Sequence, residues 1–427
     1  MRHIFAVVFL IMLLAVPWFM YNPEQASYVY SIIGKVENQI AAVILTHSPK
    51  TVVDIKSRYA DAEKQTVFGT KVTDKKVKIL LVPGHEPDYG GAEYGSLFER
   101  KMTVEIAEQL QKFLDTNGRY QVYVTRDENS WSPMFFEYFK NNWSDIIAWT
   151  KGHKEETVHL TRMGEYHPVV PNVIHNNAPN DVAFRLYGLG KWSNENDVDI
   201  IIHLHFNDAP GHGRSTPGKY SGFSIYVPEN QYFNSSTTLS LANTIFSRLQ
   251  KYNGVSNLPG ESGGIIQDQD LIAVGAYNSL DAASLLIEYG YIYEPQFTNP
   301  DLHDTAVKDL AFQTYLGLQD FFDERSPANV TGSFDTLVMP YSWSNTITDS
   351  KHDDKDVFSL QTALVIDGVY PPANKSLNDC PRSGSFGPCT KASVDSFQNK
   401  RGIVGEKGVV GVKTLQELNR LYSIKAI

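Results

Sequence analysis

The sequence predicts an α/β domain with parallel neighbouring strands, followed by a small separate domain at the C-terminus. Three observations carry that expectation. Short apolar runs bounded by charged or turn residues read as buried strands. An amphipathic helix falls between the first two of them, and a strand, helix, strand succession favours parallel neighbours. A stretch rich in Ser, Thr, Asn, Asp and proline then separates these elements from about 70 further residues.

The first strand is VKILLV, starting at Val77 between the charged KVTDKK and Pro83-Gly84. The helix starts at Glu99 and carries Met102, Ile106, Leu110, Phe113 and Leu114 on one stripe. Asn117-Gly118 ends it. QVYVT is the second strand, and DIIIHLHF, GFSIYV and ASLLIE follow, with a helix from about Ser240 to Lys251 before the last. These elements place the main domain at about 76–325. Residues 129–180 interrupt it with many aromatics and histidines. They read as a partly helical insertion that either buttresses the domain or lines a groove. Residues 22–75 carry no chemistry and read as a spacer, 326–354 as a linker, and 355–427 as the last domain. No repeat of solenoid length is present.

With 427 residues, 42% of them hydrophobic, the chain can bury one sizeable core and a smaller one. Its net charge of -10 gives no basic footprint, which excludes nucleic acid as a partner. Residues 1–21 are a targeting segment: Ile4 to Met20 is apolar throughout, behind Arg2. As a helix, about 17 residues span roughly 25 Å, close to a bilayer core, and Trp18 and Tyr21 suit its interface. A signal peptide and an uncleaved membrane anchor both fit, and the lack of a small-x-small site just beyond favours the anchor. Either reading exports the body of the protein. Cys380 and Cys389 lie close together, and in an exported chain such a pair reads as a disulfide. A metal site would need C-x-x-C spacing or nearby histidines, and neither is there.

Four chemical positions, one of them with two candidate histidines, gather at one edge of the expected sheet. His85 follows the first strand, Glu99 opens the helix, His203 and His205 share a face of the DIIIHLHF strand, and Glu288 ends ASLLIE. Ligands in open α/β sheets bind at the carboxyl ends of strands. Two histidines and a glutamate are a common ligand set for catalytic zinc, leaving one position open. Their summed charge leaves the cation net positive, so it remains a Lewis acid. A further glutamate outside the ligand set can then move protons. Any one of the 12 histidines alone would be a weak signal.

From Val77 to about Phe322 the chain resembles the zinc-dependent N-acetylmuramoyl-L-alanine amidases of the amidase-3 type. The resemblance rests on Pro83-Gly84-His85, on Gly90-Gly91-Ala92 with Gly95 and Glu99-Arg100, and on Val124-Thr125-Arg126-Asp127. It continues through Arg185, Leu204-His205-Phe206-Asn207, Gly222 to Tyr226, and Leu286-Ile287-Glu288-Tyr289-Gly290-Tyr291. It implies a single twisted, mostly parallel sheet flanked by helices. It also implies zinc held by His85, Glu99 and His205 (its register favours His205 over His203), Glu288 as general base, and Asn207 and Arg185 positioning ligands or substrate, or buttressing the strand. Glu86 stands where the family has glycine, Arg100 stands for lysine, and the 129–180 insertion is larger than the pattern expects.

The C-terminal part resembles the peptidoglycan-binding domain type 1, a small three-helix fold. Val357, Leu360-Gln361 and Leu364 match its opening; Gly387, Thr390, Val394 and Phe397-Gln398 its centre; Gly408 to Gly411, Thr414 and Leu418 its end. A core this small benefits from the Cys380–Cys389 staple. Together the two resemblances imply an extracytoplasmic hydrolase acting on peptidoglycan, with membrane as a second partner if the N-terminal segment is retained. The rival expectations are a zinc peptidase of the stem peptide and a non-catalytic wall-binding protein.

Overall fold

The computed structural model describes residues 48–68, 76–175, 177–209, 211–278, 280–322, 334–348 and 354–423. The N-terminal apolar run lies outside them, and among the described residues no helix is long and apolar enough to cross a membrane.

A six-stranded sheet in the order β4-β1-β5-β8-β6-β7 organises the domain. Its strands are β1 (Val77–Pro83), β4 (Tyr120–Val124), β5 (Ile200–Asn207), β6 (Ser224–Pro228), β7 (Ile265–Asp268) and β8 (Ala283–Tyr291). All neighbours are parallel except β6 and β8. A small antiparallel pair, β2 (Glu93–Tyr94) and β3 (Leu97–Phe98), stands apart.

Alternation along the strands gives each face its own cover. Ile79, Leu81, Ile202, Leu204, Ile225, Val227, Leu285 and Ile287 are buried in the main core. They pack beneath α2 (Glu99–Asp115), α5 (Ser235–Tyr252) and α7 (Pro300–Phe321), with the short α6 (Pro295–Thr298) alongside. Leu80, Val82 and Ile201 face the other way, against α3 (Pro133–Met163) and α4 (Asn180–Glu195). The expected insertion therefore supplies α3, whose Phe135, Phe139 and Ile146 pack beside Trp192. The helix bends at Asn142, which has non-helical dihedrals and donates its side-chain amide to the Tyr138 carbonyl.

Residues 52–62 of the expected spacer are not a free tether. They belong to α1 (Val52–Phe68), whose Ile55 and Tyr59 are buried in the main core. Tyr59 stacks on Phe322 at 4.0 Å, and Arg58 reaches Asp199, just before β5, at 3.0 Å. The sequence hides this because most of α1 is polar and its apolar partners lie far along the chain.

The C-terminal helices α8 (Asp354–Asp367), α9 (Pro388–Arg401) and α10 (Val412–Tyr422) form the expected small bundle, stapled by Cys380–Cys389. Gln361 spans the turn before α9 by donating to Thr390 Oγ1 at 3.0 Å and accepting from Gly384 N at 3.0 Å. Gln398 does the same before α10, donating to Thr414 Oγ1 at 2.8 Å and accepting from Gly408 N at 2.8 Å. The bundle packs on the main domain. Buried Arg382 meets Asp309 of α7 at 3.2 Å, donates to the Tyr252 carbonyl at 2.8 Å, and lies between the Tyr252 and Phe358 rings. Within the expected linker, Thr336 and Leu337 N donate to the same Asp309, and Ile347 bridges to Val410.

Removing one member of a buried ion pair strands the other. Arg382→Ala should therefore destabilise the protein by about 3–5 kcal/mol, read as a lower urea midpoint by tryptophan fluorescence, because Asp309 would stay buried without its cation.

Candidate metal centre

The site forms on the sheet face that carries His203, His205, Ser224, Tyr226 and Glu288. Cross-strand register sets His205 beside Glu288, and Glu288 beside Ser224. A register shift between His205 and Asn207 marks a bulge at the carboxyl end of β5, a feature that re-aims side chains at strand ends.

His85 leaves β1 with a φ of 69°, a left-handed conformation unusual for a residue with a Cβ. Such strain costs about 1–3 kcal/mol and persists only where the surroundings impose it. Here Arg126 imposes it. Its buried guanidinium donates to the carbonyls of His85 at 2.9 Å, Gly84 and Arg100, and to Thr103 Oγ1. Burial lowers the Arg126 pKa to about 10, against the opposing charges of Glu86, Asp127 and Glu99.

The β2–β3 hairpin returns the chain so that Glu99 starts α2 beneath His85, with Glu99 N donating to the Ala92 carbonyl at 2.9 Å. The Glu99 carboxylate accepts from Ala92 N at 2.8 Å and from Phe206 N at 3.1 Å. It also lies 3.0 Å from His205 Nδ1 and 2.8 Å from His85 Nε2. Two glycines permit this closeness. A Cβ on Gly84 would come within 2.3 Å of the His205 ring, and one on Gly91 within 2.8 Å of His85 and 3.0 Å of Glu99.

His85, Glu99 and His205 each offer one ligand atom, and these atoms lie within 4.8 Å of one another. Although His85 Nε2 is near Glu99, it is buried without an aligned hydrogen bond, as expected of an atom facing a shared point rather than a neighbour. The donor set and this orphaned nitrogen both fit a zinc ion. His203 is outside the cluster: it is buried, and burial, with the charge of His205 adding, lowers its pKa to about 3. Burial also lowers His205. For Glu99, burial opposes ionisation, yet the charge of His85 and the hydrogen bond from His205 hold its pKa well below the usual range.

Glu288 is the complement. Its Oε2 is buried with no hydrogen-bond partner among the described residues. Burial raises its pKa well above the usual carboxylate range, and the charges of Glu99 and Glu261 push the same way.

Residues 79–319, more than half of the chain, match the family described as Amidase_3, N-acetylmuramoyl-L-alanine amidase. The chain belongs to that family. Its activity is hydrolysis of the amide joining N-acetylmuramic acid to L-alanine in peptidoglycan, and the family places that work at the cell wall. The amidase fold is similar to the CwlD amidase of Clostridioides difficile, solved in complex with the GerS lipoprotein, at 16% identity over 58% of this chain and 99% of that one, with a TM-score of 0.38. It is similar to Ami1 of Mycobacterium smegmatis at 13% identity over 58% and 97% of the two chains, with a TM-score of 0.38. AmiC2 of Nostoc punctiforme gives 13% identity over 58% and 98%, with a TM-score of 0.35. No curated protein sequence matches the amidase.

The two expected positioning residues make protein contacts. Arg185 donates to Glu86 at 2.8 Å and to Asp181 at 2.6 Å, and Trp131 Nε1 donates to the same Glu86 at 3.0 Å. Glu86, the departure after His85, thus ties the His85 loop to α4 and to the start of the insertion. Asn207 donates to Glu261 at 2.8 Å, and its Oδ1 accepts from Asp208 N at 2.8 Å. Sequence reasoning missed Glu261, which sits in the Leu-Pro-Gly-Glu-Ser-Gly-Gly loop with no periodic signal around it. Arg126 was visible as a motif residue but its function as a clamp was not.

Two outcomes follow for the amidase. Arg126→Ala should weaken zinc binding by about 10–100-fold, measured by competition with a chromogenic chelator, because the strained His85 loop loses its carbonyl donor. In metal-free protein, at pH between the ordinary carboxylate pKa and its raised folded value, Glu288 keeps a proton that the unfolded chain releases. Its stabilising contribution is present below the ordinary carboxylate pKa and is lost as pH rises through the raised folded value. Glu288→Gln should therefore melt higher than wild type at pH 8 in chelator, and the gap should narrow towards pH 4.

Proposed function

We propose that the protein is a zinc-dependent, extracytoplasmic amidase in which His85, Glu99 and His205 hold the metal, Glu288 moves the proton, and the C-terminal bundle binds the wall. The observation that carries this reading is the juxtaposition of a His, Glu, His cluster with a buried, unpartnered carboxylate on the same sheet face.

Zinc, when bound, would act as a Lewis acid on the scissile carbonyl and lower the pKa of water. Glu288 takes the proton of the attacking water through Oε2 and returns it to the nitrogen that leaves as the N-terminus of the stem peptide. A carboxyl whose surroundings favour the protonated form suits that second, acidic step. Glu99, pinned by two backbone N–H groups, keeps both imidazoles aimed at one point. Arg126 holds the His85 loop through its carbonyls and Glu86 ties the same loop to Trp131 and Arg185, while Asn207 positions the end of β5. The apolar N-terminal segment would hold the protein at the membrane.

The test is hydrolysis of purified peptidoglycan by the full chain in detergent, with products identified by mass. Intact stem peptides with free N-terminal alanine should be released. Glu288→Ala should reduce release by about 10²–10⁴-fold, and chelator should stop it until zinc is restored. Fragments cut within the stem would instead indicate a peptidase. Binding to the wall with no release after zinc loading would overturn the catalytic reading.

A further inference from the structure

A second carboxylate, which the reaction as described does not use, is buried beside Glu288. Glu261 is 1% exposed. It accepts from Tyr226 OH at 2.6 Å, from Asn207 Nδ2 at 2.8 Å and from Tyr291 OH at 3.3 Å. All three donors are neutral, an unusual setting for a buried carboxylate, which is ordinarily paired with a cation. The three come from three strands. Asn207 follows His205 by two residues at the end of β5, Tyr226 shares the face of Glu288 on β6, and Tyr291 ends β8 three residues beyond Glu288.

The ends of β5 and β8 are where the ladder is irregular. Register shifts between His205 and Asn207, so that Asn207 pairs with Tyr291 rather than with a residue at the regular spacing. Gly290 has a φ of 148° there. At such a bulge the backbone ladder alone does not fix side-chain direction, and Glu261 bonds to both residues of the displaced pair. Its own loop is held from outside. A Cβ on Gly260 would stand 2.4 Å from the Asn172 carbonyl oxygen and 2.7 Å from Val173. The segment returning from α3 therefore lies against the residue before Glu261. That segment is anchored by hydrogen bonds of His167 with Gln231 and of Val169 with Gln269.

We propose that Glu261 is a positioning residue for the amidase reaction: through Asn207, Tyr226 and Tyr291 it fixes the outgoing ends of β5 and β8, and so the aim of His205 and Glu288. It does not touch substrate. The insertion, by closing over Gly260, holds this hub in place, which gives the 129–180 segment a share in active-site geometry. The inference rests on Glu288 as the proton-moving group.

The experiment compares Glu261→Gln, Tyr226→Phe, the double variant and Glu288→Gln in the full chain, each loaded to one zinc per molecule. Turnover and KM on a soluble muropeptide are read together with the melting temperature. Glutamine keeps the size but presents an N–H₂ group to at least one of the three donors. The expected result is that Glu261→Gln lowers kcat about 10–100-fold with KM changed less than about threefold. Tyr226→Phe should give a smaller loss, and the double variant should lose no more than Glu261→Gln alone, because the two act as one unit. Turnover per zinc-loaded molecule equal to wild type in Glu261→Gln, with only the melting temperature lowered, would overturn the proposal. So would additive losses in the double variant. If Glu261→Gln does not fold, Tyr226→Phe alone decides: unchanged kcat overturns the proposal. Glu288→Gln separates the two readings. Wild-type turnover in that variant removes the assignment of Glu288 itself, whereas an inactive Glu288→Gln beside a fully active Glu261→Gln removes only the positioning role.

Discussion

One carboxylate, that of Glu99, lies buried between two imidazoles from the carboxyl ends of the neighbouring strands β1 and β5, and much of the local structure exists to permit it. Burial of an isolated carboxylate is costly unless charge and hydrogen bonds compensate. The compensation comes from Ala92 N and Phe206 N as well as from His85 and His205. Each partner demands something of the sequence. Ala92 N is in reach only because the β2–β3 hairpin doubles back. His205 fits only because Gly84 has no side chain. His85 arrives only in a left-handed conformation that Arg126 holds from behind. The glycines and the arginine therefore belong energetically to the His85, Glu99 and His205 cluster, although none of them offers it a ligand atom.

What was legible in the sequence is what local pattern encodes. The strands around His85, His205 and Glu288 are apolar runs that end in polar residues, so the ends, and hence the site, could be placed. Ordered motifs then favoured His205 over His203; in the structure His85, Glu99 and His205 lie together, and His203 lies outside that group. The antiparallel setting of β6 was not legible, because alternation reports faces and not direction. Neither was the packing of α1: Ile55 and Tyr59 are two apolar residues in a charged helix, and the ring that completes their site, Phe322, comes more than two hundred residues later. Glu261 escaped for the same reason. Its importance is defined by three donors distant in sequence, and a lone glutamate in a glycine-rich loop gives no local sign of them.

The insertion changes the meaning of the surrounding departures from the family pattern. Glu86 places a charge directly after His85, and without the insertion Arg185 of α4 alone would answer it. With the insertion present, Trp131 answers it as well, and the charge becomes a bolt between the His85 loop and the helices that cover β1 and β5. The far end of the same insertion lies on Gly260. One segment thus braces the site at both the His85 side and the Glu288 side. This coupling makes the insertion part of the architecture of the site rather than an ornament on its surface.

The C-terminal bundle raises a geometrical point of the same kind. A module on a flexible tether raises local concentration over a range set by linker length, whereas a fixed one does so only at the spacing the protein imposes. Here the buried Arg382–Asp309 pair, the rings of Tyr252 and Phe358, and Thr336 together hold the bundle against α5 and α7. Those helices cover the sheet face opposite His205 and Glu288. The bundle and the candidate site are then separated by the thickness of the sheet and one helical layer. If the bundle binds the wall as proposed, it therefore does so at a fixed place relative to the candidate site, and local concentration is raised only at that one spacing.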